Sequence, residues 1–354
     1  MNKAKDIRIV LIAPFNTDFG IRYISSFLKA KGYSPYIILF NQLRYAAEFV
    51  NNDYFTPPPL KHQIYSMEDS RLLIELLKQL KPELIGINVT SVTMRTVQRM
   101  IYQIKKNLNS LIVLGGIHAI IAPGECIRYA DIVCTGEGEI PMWELAESIR
   151  NGRPLTNIKS LWIKNGDEIE KNEIRPMIED LDSLPFPDFM EEDNKFLIDS
   201  GRVVKNPPII SAHQINIYPT MTSRGCMFSC AFCCNSVIRE RYKGKGPYLR
   251  RRSVDNVIRE LRLAVENRRI DAIRFWDDIF TYDKDWIEEF CLRFLSEIGK
   301  PFFCYAHPKY TDKNILAKLV KSGLIYVAVG LQSGSESVVR DIFNRTQSHQ
   351  DILD

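Results

Sequence analysis

The first 150 residues alternate short apolar runs with segments of helical periodicity. Residues 7–13 are a run of strand length that is apolar except for Arg8, and residues 21–28 then repeat apolar side chains every three or four positions. Further runs of strand length, mostly apolar, follow at 36–40, 84–89, 111–114 and 131–134. Such runs are typical of strands that are buried on both faces of a parallel sheet. We therefore predict an α/β fold, with a doubly wound, Rossmann-like parallel-sheet domain over residues 1–150.

Residues 151–215 lack this regular alternation. Two short strand-like runs flank Asn165 and Gly166, a pair that favours a tight hairpin turn. Several prolines between Pro176 and Pro208 interrupt the remainder. We predict a linker with a small hairpin.

A second alternation of strands and helices begins near Tyr218. It predicts strands at 220–223, 272–276, 302–306 and 326–331, with helices at about 254–268, 284–298 and 312–322. Successive βα units of this kind favour a TIM-like (β/α) barrel, but four strands cannot close one. We therefore expect residues 216–354 to form a partial, truncated barrel.

The cysteine distribution changes the picture more than the overall composition does. The chain is 45% hydrophobic and 25% charged, and its net charge of +4 is too small to indicate a nucleic-acid partner. The longest apolar run, around 111–122, is too short to span a membrane, so we expect a cytoplasmic protein with no membrane partner. Four of the eight cysteines fall within residues 226–234. In a cytoplasmic chain such a cluster indicates a metal site, not disulfides.

The first three of these cysteines, Cys226, Cys230 and Cys233, have the spacing C-x3-C-x2-C directly after a predicted strand. Three thiolates serve three irons of a 4Fe–4S cluster and leave the fourth iron open to a ligand. A closed electron-transfer cluster or a structural zinc site needs four ligands. Cys234 is available as a fourth ligand, although adjacent side chains are poorly placed to reach one cluster.

The loop TSRGCMFSCAFCCNS, with Phe232 before the last of the three cysteines, resembles the motif of the radical S-adenosylmethionine (SAM) superfamily. The resemblance implies that the amino and carboxylate groups of SAM chelate the open iron and that Phe232 lies near the adenine. It also implies that Asp277 and Asp278, after the second strand, contact the SAM amino group. Paired acids at this point are equally typical of helix caps.

A further match follows the fourth strand of this series. Gln332, Ser333 and Gly334 resemble the Glu-Ser-Gly of the family, and the resemblance implies SAM contacts for Gln332 and Ser333. The glutamine replaces an acidic residue, so a role that depends on charge is not implied.

The N-terminal segments GIRYISSFLKAKG, INVTSVT, VLGGIHA and CTGEGE, all at predicted strand-to-helix turns, resemble the cobalamin-binding domain that precedes one class of radical SAM enzymes. The alternative is that they are only the tight turns of a Rossmann-like domain. The resemblance implies cobalamin contacts for Ser91, Thr93, Gly115, Gly116, Gly136, Glu137 and Gly138.

Many cobalamin domains carry D-x-H-x-x-G after the first strand, with the histidine as a cobalt ligand. Here Phe15 and Thr17 stand where the aspartate and histidine would be. The resemblance therefore implies that no protein imidazole ligates cobalt, and we interpret His118 as a polar turn residue.

The resemblance implies a radical SAM enzyme in which reductive cleavage of SAM gives a 5′-deoxyadenosyl radical and methylcobalamin supplies a methyl group to an unactivated carbon of a small-molecule substrate. Alternatives are a ring-forming or ring-contracting enzyme of the anaerobic oxidative cyclase type and a non-catalytic cobalamin-binding module. No catalytic side chain is predicted. His307, after the third strand, is either a substrate contact or a helix cap.

The cluster needs an electron donor. The basic stretch 239–252 contains seven basic residues interleaved with aromatics and glycines. We interpret it as a docking surface for an acidic flavodoxin or ferredoxin, with RNA binding and a solvated loop as alternatives.

Overall fold

The computed structural model describes residues 7–14, 18–40, 66–189, 194–199, 201–207, 210–212 and 215–353. The chain divides into two compact units. The N-terminal unit comprises Met1–Arg175 with Pro185–Pro208, and the C-terminal unit comprises Pro176–Leu184 with Ile209–Asp354. No helix in the described part of the chain has the length and apolar character needed to cross a membrane.

The N-terminal unit is a layered α/β structure. Its elements in chain order are β1 (Ile9–Ala13), α1 (Phe19–Ala30), β2 (Tyr36–Phe40), α2 (Met67–Leu80), β3 (Leu84–Asn88), α3 (Met94–Asn107), β4 (Leu111–Gly115), α4 (Ile117–Ile121), α5 (Pro123–Cys126), β5 (Ile132–Cys134), α6 (Glu139–Arg150), β6 (Leu161–Asn165), β7 (Glu168–Lys171), β8 (Lys195–Asp199) and β9 (Arg202–Lys205).

These strands form one sheet in the order β7-β6-β5-β4-β3-β1-β2-β8-β9. The six strands from β5 to β8 are parallel, and β6, β7 and β9 join antiparallel. Alternate residues of β1 enter two different cores: Val10 packs with Leu73 of α2, and Leu11 packs with Leu28 of α1. Helices therefore cover both faces, which confirms the doubly wound domain. The strand order reverses between β1 and β3, the position where such sheets take ligands at their carboxyl edge.

Four strands of this sheet, β6 to β9, lie inside the segment 151–215 that was predicted to be a linker with a small hairpin. The predicted hairpin corresponds to β6 and β7, but β8 and β9 were not predicted. Ile37 of β2 pairs with Lys195 of β8 in parallel register. The apolar pattern that would have predicted β8 is interrupted by Lys195. This lysine is buried beside Asp188, and its Nζ lies 2.7 Å from Oδ1 of that residue.

The C-terminal unit continues the α/β pattern. Its elements are β10 (Ile210–Ala212), β11 (Ile215–Thr220), β12 (Ser223–Arg224), α7 (Cys234–Arg241), β13 (Arg250–Arg251), α8 (Val254–Asn267), β14 (Ala272–Phe275), α9 (Lys284–Glu297), β15 (Phe302–Ala306), α10 (Lys313–Lys321), β16 (Leu324–Val329), a π-helical turn (Val338–Ile342) and α11 (His349–Leu353).

Four parallel strands form the body of this unit, in the order β11-β14-β15-β16, with β10 antiparallel to β11 at one edge. One face of the sheet packs against the helices through an aromatic cluster in which Phe275 contacts Phe290 and Phe294 of α9 and Phe302 of β15. This arrangement agrees with the predicted partial barrel. The first strand was predicted at 220–223, about five residues too late. The observed strand β11 ends at Thr220, and residues 223–224 pair with β13 instead.

Candidate cofactor sites

The three spaced cysteines lie on the loop between β12 and α7, which follows the first parallel strand of the C-terminal unit. Gly225 opens this loop with a φ of +87°, and a Cβ atom at residue 225 would lie 2.2 Å from the carbonyl oxygen of Tyr248. Only glycine tolerates both the left-handed backbone and this close approach. The chain can therefore turn sharply just before Cys226.

All three cysteines are free thiols, and Cys230 is buried. Burial raises the pKa of Cys226 and of Cys230, while the backbone N–H of Phe228 donates to the sulfur of Cys226 and opposes the rise. The pKa of Cys233 is instead lowered to about 6, first because the thiol of Cys234 donates a hydrogen bond to it and also because Asn235 donates to it.

Cys234 is thus a hydrogen-bond donor to its neighbour, and this interaction raises its own pKa. Among the described residues, no three His, Cys, Asp or Glu side chains converge on one point that could hold a single metal ion. A 4Fe–4S cluster does not require such convergence, because each thiolate binds a different iron. Three free thiols on one loop, with N–H groups directed at the sulfurs, fit a cluster of this kind.

The two aspartates after β14 occupy different environments. Asp277 is buried, and its carboxylate accepts hydrogen bonds from the Thr222 N–H at 3.0 Å and the Thr222 hydroxyl at 2.6 Å, and from the Ser223 hydroxyl. It holds the start of the cysteine loop against the strand. Asp278 accepts a hydrogen bond from the side chain of Asn235, in the first turn of α7, at 3.0 Å. Asp278 itself is exposed.

Phe232 is half exposed and packs edge-on against Phe343, with ring centroids 5.2 Å apart. The neighbouring Ala231 N–H donates to the Phe343 carbonyl at 3.0 Å, and the Asn344 side chain donates to the Ser229 carbonyl at 2.9 Å. The segment after the π-helical turn therefore rests on the cysteine loop.

This same segment contributes a cation that the sequence analysis did not identify. Arg345 is buried, and its positive charge lowers the pKa of both Cys230 and Cys233. In the part of the chain that the structure describes, its Nε has no hydrogen-bond partner and it forms no ion pair. No spacing rule links Arg345 to the cysteines, because its placement depends on the turn at 338–342.

The Gln332 segment lies after β16. Gln332 adopts a φ of +68° and is exposed, and the Ser333 hydroxyl accepts from the Ser335 N–H at 3.1 Å. Both residues lie at the carboxyl end of their strand, as do Asp277 and Asp278.

Several arginines of the basic stretch 239–252 form hydrogen bonds or ion pairs within the C-terminal unit. Arg239 donates to the Cys226 carbonyl and to the Ser229 hydroxyl. Arg250 is buried and donates to the Ile178 carbonyl, while Arg252 forms a buried ion pair with Glu260 in which the N–O distance is 2.5 Å. Buried Arg250 and Arg252 are therefore not available to a docking surface.

His307 is buried after β15 and stacks on Phe228 of the cysteine loop, with ring centroids 4.3 Å apart. Its Nδ1 accepts from the Lys309 N–H at 3.3 Å, so it caps the short helix Pro308–Tyr310. Burial lowers its pKa to about 4, and the charge of Arg345 acts in the same direction. His307 is therefore a neutral cap that also supports the loop.

In the N-terminal unit the predicted cobalamin contacts lie at the carboxyl edge of the sheet. Exposed Ser91, after β3, lies 2.9 Å from Nδ1 of His118, and Nε2 of His118 lies 3.3 Å from a Glu125 oxygen. Both ring nitrogens of His118 thus have partners, which agrees with a turn residue. Thr93 is buried and bonds locally to Thr90.

Gly115 ends β4, and Gly116 follows it with a φ of +98°. A Cβ atom at residue 116 would lie 1.8 Å from Oδ1 of Asn88. Asn88 in turn donates to Asp18, which is buried and also caps α1 through the Ile21 N–H at 3.1 Å. The ends of β3 and β4 are thereby joined to the start of α1. Phe15 and Thr17 lie outside the described residues.

The third group of predicted contacts follows β5, beside β4 in the sheet. The Gly136 carbonyl accepts from the Cys134 thiol at 3.5 Å, and Gly138 packs directly against Ile24 of α1. Glu137 lies between them and is partly exposed. All seven predicted residues therefore lie at the same edge of one sheet.

Comparison with known protein families matches both units. Residues 7–146 match the model of the B12-binding domain, and residues 220–354 match the model of the radical SAM superfamily. This chain combines a B12-binding domain with a radical SAM domain. The predicted family is confirmed, and the expected cofactors, namely a 4Fe–4S cluster, SAM and cobalamin, are those of the two matched domains.

Curated relatives of this radical SAM protein include two methyltransferases and a cyclase. It is 28% identical over 287 residues to an uncharacterized methyltransferase of Pyrococcus horikoshii, covering 79% of this chain and 58% of that protein. It is 24% identical to the cytidylyl-2-hydroxyethylphosphonate methyltransferase of Streptomyces wedmorensis, covering 92% and 63%. It is also 24% identical to the anaerobic magnesium-protoporphyrin IX monomethyl ester cyclase of Cereibacter sphaeroides, covering 77% and 43%. The chain therefore spans about half of each relative's length.

Solved structures share the fold of the radical SAM protein. The radical SAM methyltransferase TsrM from Kitasatospora setae matches with a TM-score of 0.71 at 15% identity, covering 98% of this chain and 64% of that one. The cobalamin-dependent radical SAM enzyme OxsB matches with a TM-score of 0.69 at 16% identity, covering 99% and 47%. Both support the order of two α/β domains.

Proposed function

We propose that this protein is a cobalamin-dependent radical SAM methyltransferase and that Cys226, Cys230 and Cys233 are the ligands of its 4Fe–4S cluster. The observation that carries the proposal is the cysteine loop itself: three free thiols with N–H donors to their sulfurs, held at the carboxyl end of parallel strands. That end of a βα unit is where such folds position their chemistry.

The surroundings of the loop supply groups for SAM. A buried guanidinium without an ion-pair partner in the described chain suits the SAM carboxylate, and Arg345 is such a group. Asp278 suits the amino group better than Asp277, because the Asp277 carboxylate is already occupied by Thr222 and Ser223. The exposed ring of Phe232 suits adenine, with Gln332 and Ser333 as further polar contacts.

The N-terminal edge provides a site for cobalamin. Gly115 and Gly116 keep side chains away from this edge, so backbone can approach a bulky ligand closely. Ser91, oriented by His118, presents a hydroxyl there, while Thr93 and residues 136–138 shape the neighbouring turns.

When bound, the cluster supplies the electron that cleaves SAM, and cobalamin carries the methyl group to be transferred. The residues of this chain hold and orient these groups. The substrate is proposed to be a small molecule with an unactivated carbon. Ring formation is a second candidate, because a magnesium-protoporphyrin ester cyclase is among the relatives at the same identity as one of the methyltransferases.

An external electron donor and a location in the cytoplasm stay predictions. Because Arg250 and Arg252 are buried, a docking surface for an acidic flavodoxin or ferredoxin would have to use exposed groups such as Lys243.

The decisive experiment is anaerobic reconstitution with iron and sulfide, followed by incubation with SAM and a reductant and an assay of 5′-deoxyadenosine. We expect about four irons per chain and formation of 5′-deoxyadenosine. Cys226→Ala, Cys230→Ala and Cys233→Ala should each abolish both. Cys291→Ala is the matched control, because Cys291 is a buried cysteine of α9 far along the chain from the loop. Zinc in place of iron, or a cluster spectrum that does not respond to SAM, would refute the proposal.

Methyl transfer and cyclisation are distinguished by SAM carrying a labelled methyl group, supplied together with cobalamin. Transfer of label to the bound cobalamin fraction supports methylation. Consumption of SAM with no labelled cobalamin favours the cyclase alternative.

A further inference from the structure

In the described part of the C-terminal unit, helices α8, α9 and α10 pack on one face of the sheet and leave its other face without a helix. Helices α8, α9 and α10 pack side by side, and Phe275 and Phe302 point into them. Residues that alternate with these two along β14 and β15 point to the opposite face. Register pairs Arg274 with Phe303, and Phe303 in turn with Tyr326, so these residues share that face.

The chemistry of this open face differs from that of an ordinary barrel interior. Packed barrels fill their interior with branched aliphatic side chains. Here the side chains at the centre of the face are aromatic and charged, namely Arg274, Trp276, Phe303, Tyr305 and Tyr326. A concentration of aromatics with a few placed polar groups is typical of a ligand site.

Arg274 is the only one of these groups with a full charge. Its guanidinium lies 4.2 Å from the centroid of the Trp276 ring, and its Nη2 donates to the Tyr305 hydroxyl at 2.6 Å. It forms no ion pair with any carboxylate in the described chain. A guanidinium has five N–H donors. This half-buried side chain therefore has a charge without an ion-pair partner in the described chain and N–H groups available to a ligand.

A second donor lies beside it. Nε1 of Trp276 is buried and has no hydrogen-bond acceptor among the described residues. An indole N–H can only donate, and a buried donor without an acceptor is costly. Two neighbouring donors are therefore available to an oxygen acceptor, and the charge of Arg274 favours an acceptor that is negatively charged.

This face also adjoins the cysteine loop. Trp276 directly precedes Asp277, whose carboxylate holds Thr222 and Ser223 at the start of that loop. A ligand anchored on Arg274 would thus lie within the unit that carries the proposed cluster, toward the same strand ends.

We propose that Arg274, Trp276 and Tyr305 form the anchor for an oxyanion of the substrate, so that the substrate is a small molecule bearing a carboxylate or a phosphate group. This inference rests on the proposed function, since it concerns the substrate of the same site. Arg274 contributes the charge, the Trp276 N–H completes the donor pair, and Tyr305 orients the guanidinium.

The test is a titration of the reconstituted 354-residue chain, labelled with 15N-tryptophan, using inorganic phosphate and acetate as probes. The indole resonance of Trp276 is assigned by its absence from Trp276→Phe. We expect one or both oxyanions to move this resonance, with the tighter probe identifying the substrate group as phosphate or carboxylate. Chloride at equal ionic strength and neutral acetamide should leave it in place.

Arg274→Gln should weaken the apparent affinity about tenfold or more, as expected for loss of a charge-assisted hydrogen bond. Arg269→Gln is the matched control, because Arg269 is exposed and pairs only with its neighbour Asp271. Tyr305→Phe should weaken binding by less than Arg274→Gln does, because the cation remains but loses the hydroxyl that orients it. Unchanged resonances of Trp143 and Trp286 report that each variant is folded.

The inference is overturned if neither oxyanion moves the Trp276 resonance, if chloride or acetamide moves it equally, or if Arg274→Gln binds as the unmodified chain does. Formation of 5′-deoxyadenosine is scored separately. A protein that cleaves SAM but gives no anion response refutes this inference alone, and one that binds oxyanions but never forms a cluster refutes the proposed function.

Discussion

Cys234 donates its thiol hydrogen to the sulfur of Cys233, its neighbour in sequence and the last of the three spaced cysteines. Four cysteines are thus crowded into nine residues, yet the fourth serves as a hydrogen-bond donor to one of the other three. This hydrogen bond supports the proposed three-thiolate site with an open iron over a closed four-ligand site.

The first prediction concerns this fourth cysteine. Cys234→Ala should still assemble about four irons per chain, because only the three spaced cysteines are ligands. Iron content and the visible spectrum after reconstitution check this. Cys234→Ser keeps a donor to Cys233 and serves as the control. If Cys234→Ala lost its iron as Cys226→Ala does, the site would have four ligands.

The second prediction concerns the turn before Cys226. Gly225→Ala introduces a Cβ atom 2.2 Å from the Tyr248 carbonyl oxygen at a position with a positive φ. The left-handed backbone alone costs about 1–2 kcal/mol, and the contact with backbone adds to this. We expect a lower unfolding temperature and loss of most of the cluster iron.

Gly244→Ala is the matched control for Gly225→Ala. Gly244 also has a positive φ, of +73°, but nothing lies within 4 Å of the position that its Cβ would occupy. It should lose about 1 kcal/mol of stability and retain its iron. Equal iron loss in both variants would show that the Tyr248 contact is unimportant.

The third prediction concerns the buried ion pair of Arg252 and Glu260. The side chains are 4% and 1% exposed, and the same carboxylate accepts from Tyr218 at 2.9 Å and from Thr220 at 3.2 Å. Glu260→Ala leaves a buried cation without its partner, which costs about 3–5 kcal/mol. Urea unfolding monitored by circular dichroism measures the change.

Arg259→Ala tests the specificity of that effect. Arg259 pairs with Asp255 across one helical turn, and both side chains are more than half exposed. An exposed pair contributes about 0–1 kcal/mol, so the free energy of unfolding should hardly change. Comparable losses in the two variants would contradict the importance assigned to burial.

The fourth prediction concerns the edge of the N-terminal sheet. Gly116→Ala forces a Cβ atom into Oδ1 of Asn88 and so displaces the contact between Asn88 and Asp18. We expect cobalamin affinity, followed by its visible spectrum, to fall about tenfold or more. Gly124→Ala, where nothing lies within 4 Å, should bind as the unmodified chain does. If Gly116→Ala bound cobalamin as tightly as the unmodified chain, this edge of the sheet would not be part of the cobalamin site.

The parallel strands could be predicted because their burial leaves continuous apolar runs, as in β1, β3 and β4. The cysteine spacing likewise carries its chemistry in the sequence. Strand β8 could not be predicted, because its buried Lys195 pairs with Asp188 and interrupts the apolar pattern. Arg345 was missed for a related reason: its position beside Cys230 arises from tertiary folding, and no local pattern records it.

The basic stretch 239–252 shows the reverse case, in which charged side chains are buried. Its composition resembles a solvated or docking loop, but Arg250 donates to a backbone carbonyl and Arg252 to a buried carboxylate. Arginine is well suited to both environments, since its planar fork satisfies several acceptors at once. Charge alone therefore does not reveal whether a basic run faces solvent.

The pairing of β2 with β8 has a consequence for protein synthesis. Ile37 pairs with Leu11 of β1 on one side, but the other edge of β2 finds its partner only once Lys195 has been made. The nascent N-terminal sheet therefore carries a bare hydrophobic edge while more than a hundred further residues are added. A gene fragment ending at residue 150 would retain that edge permanently. Such a fragment should aggregate, whereas one extended to residue 208 should remain in solution.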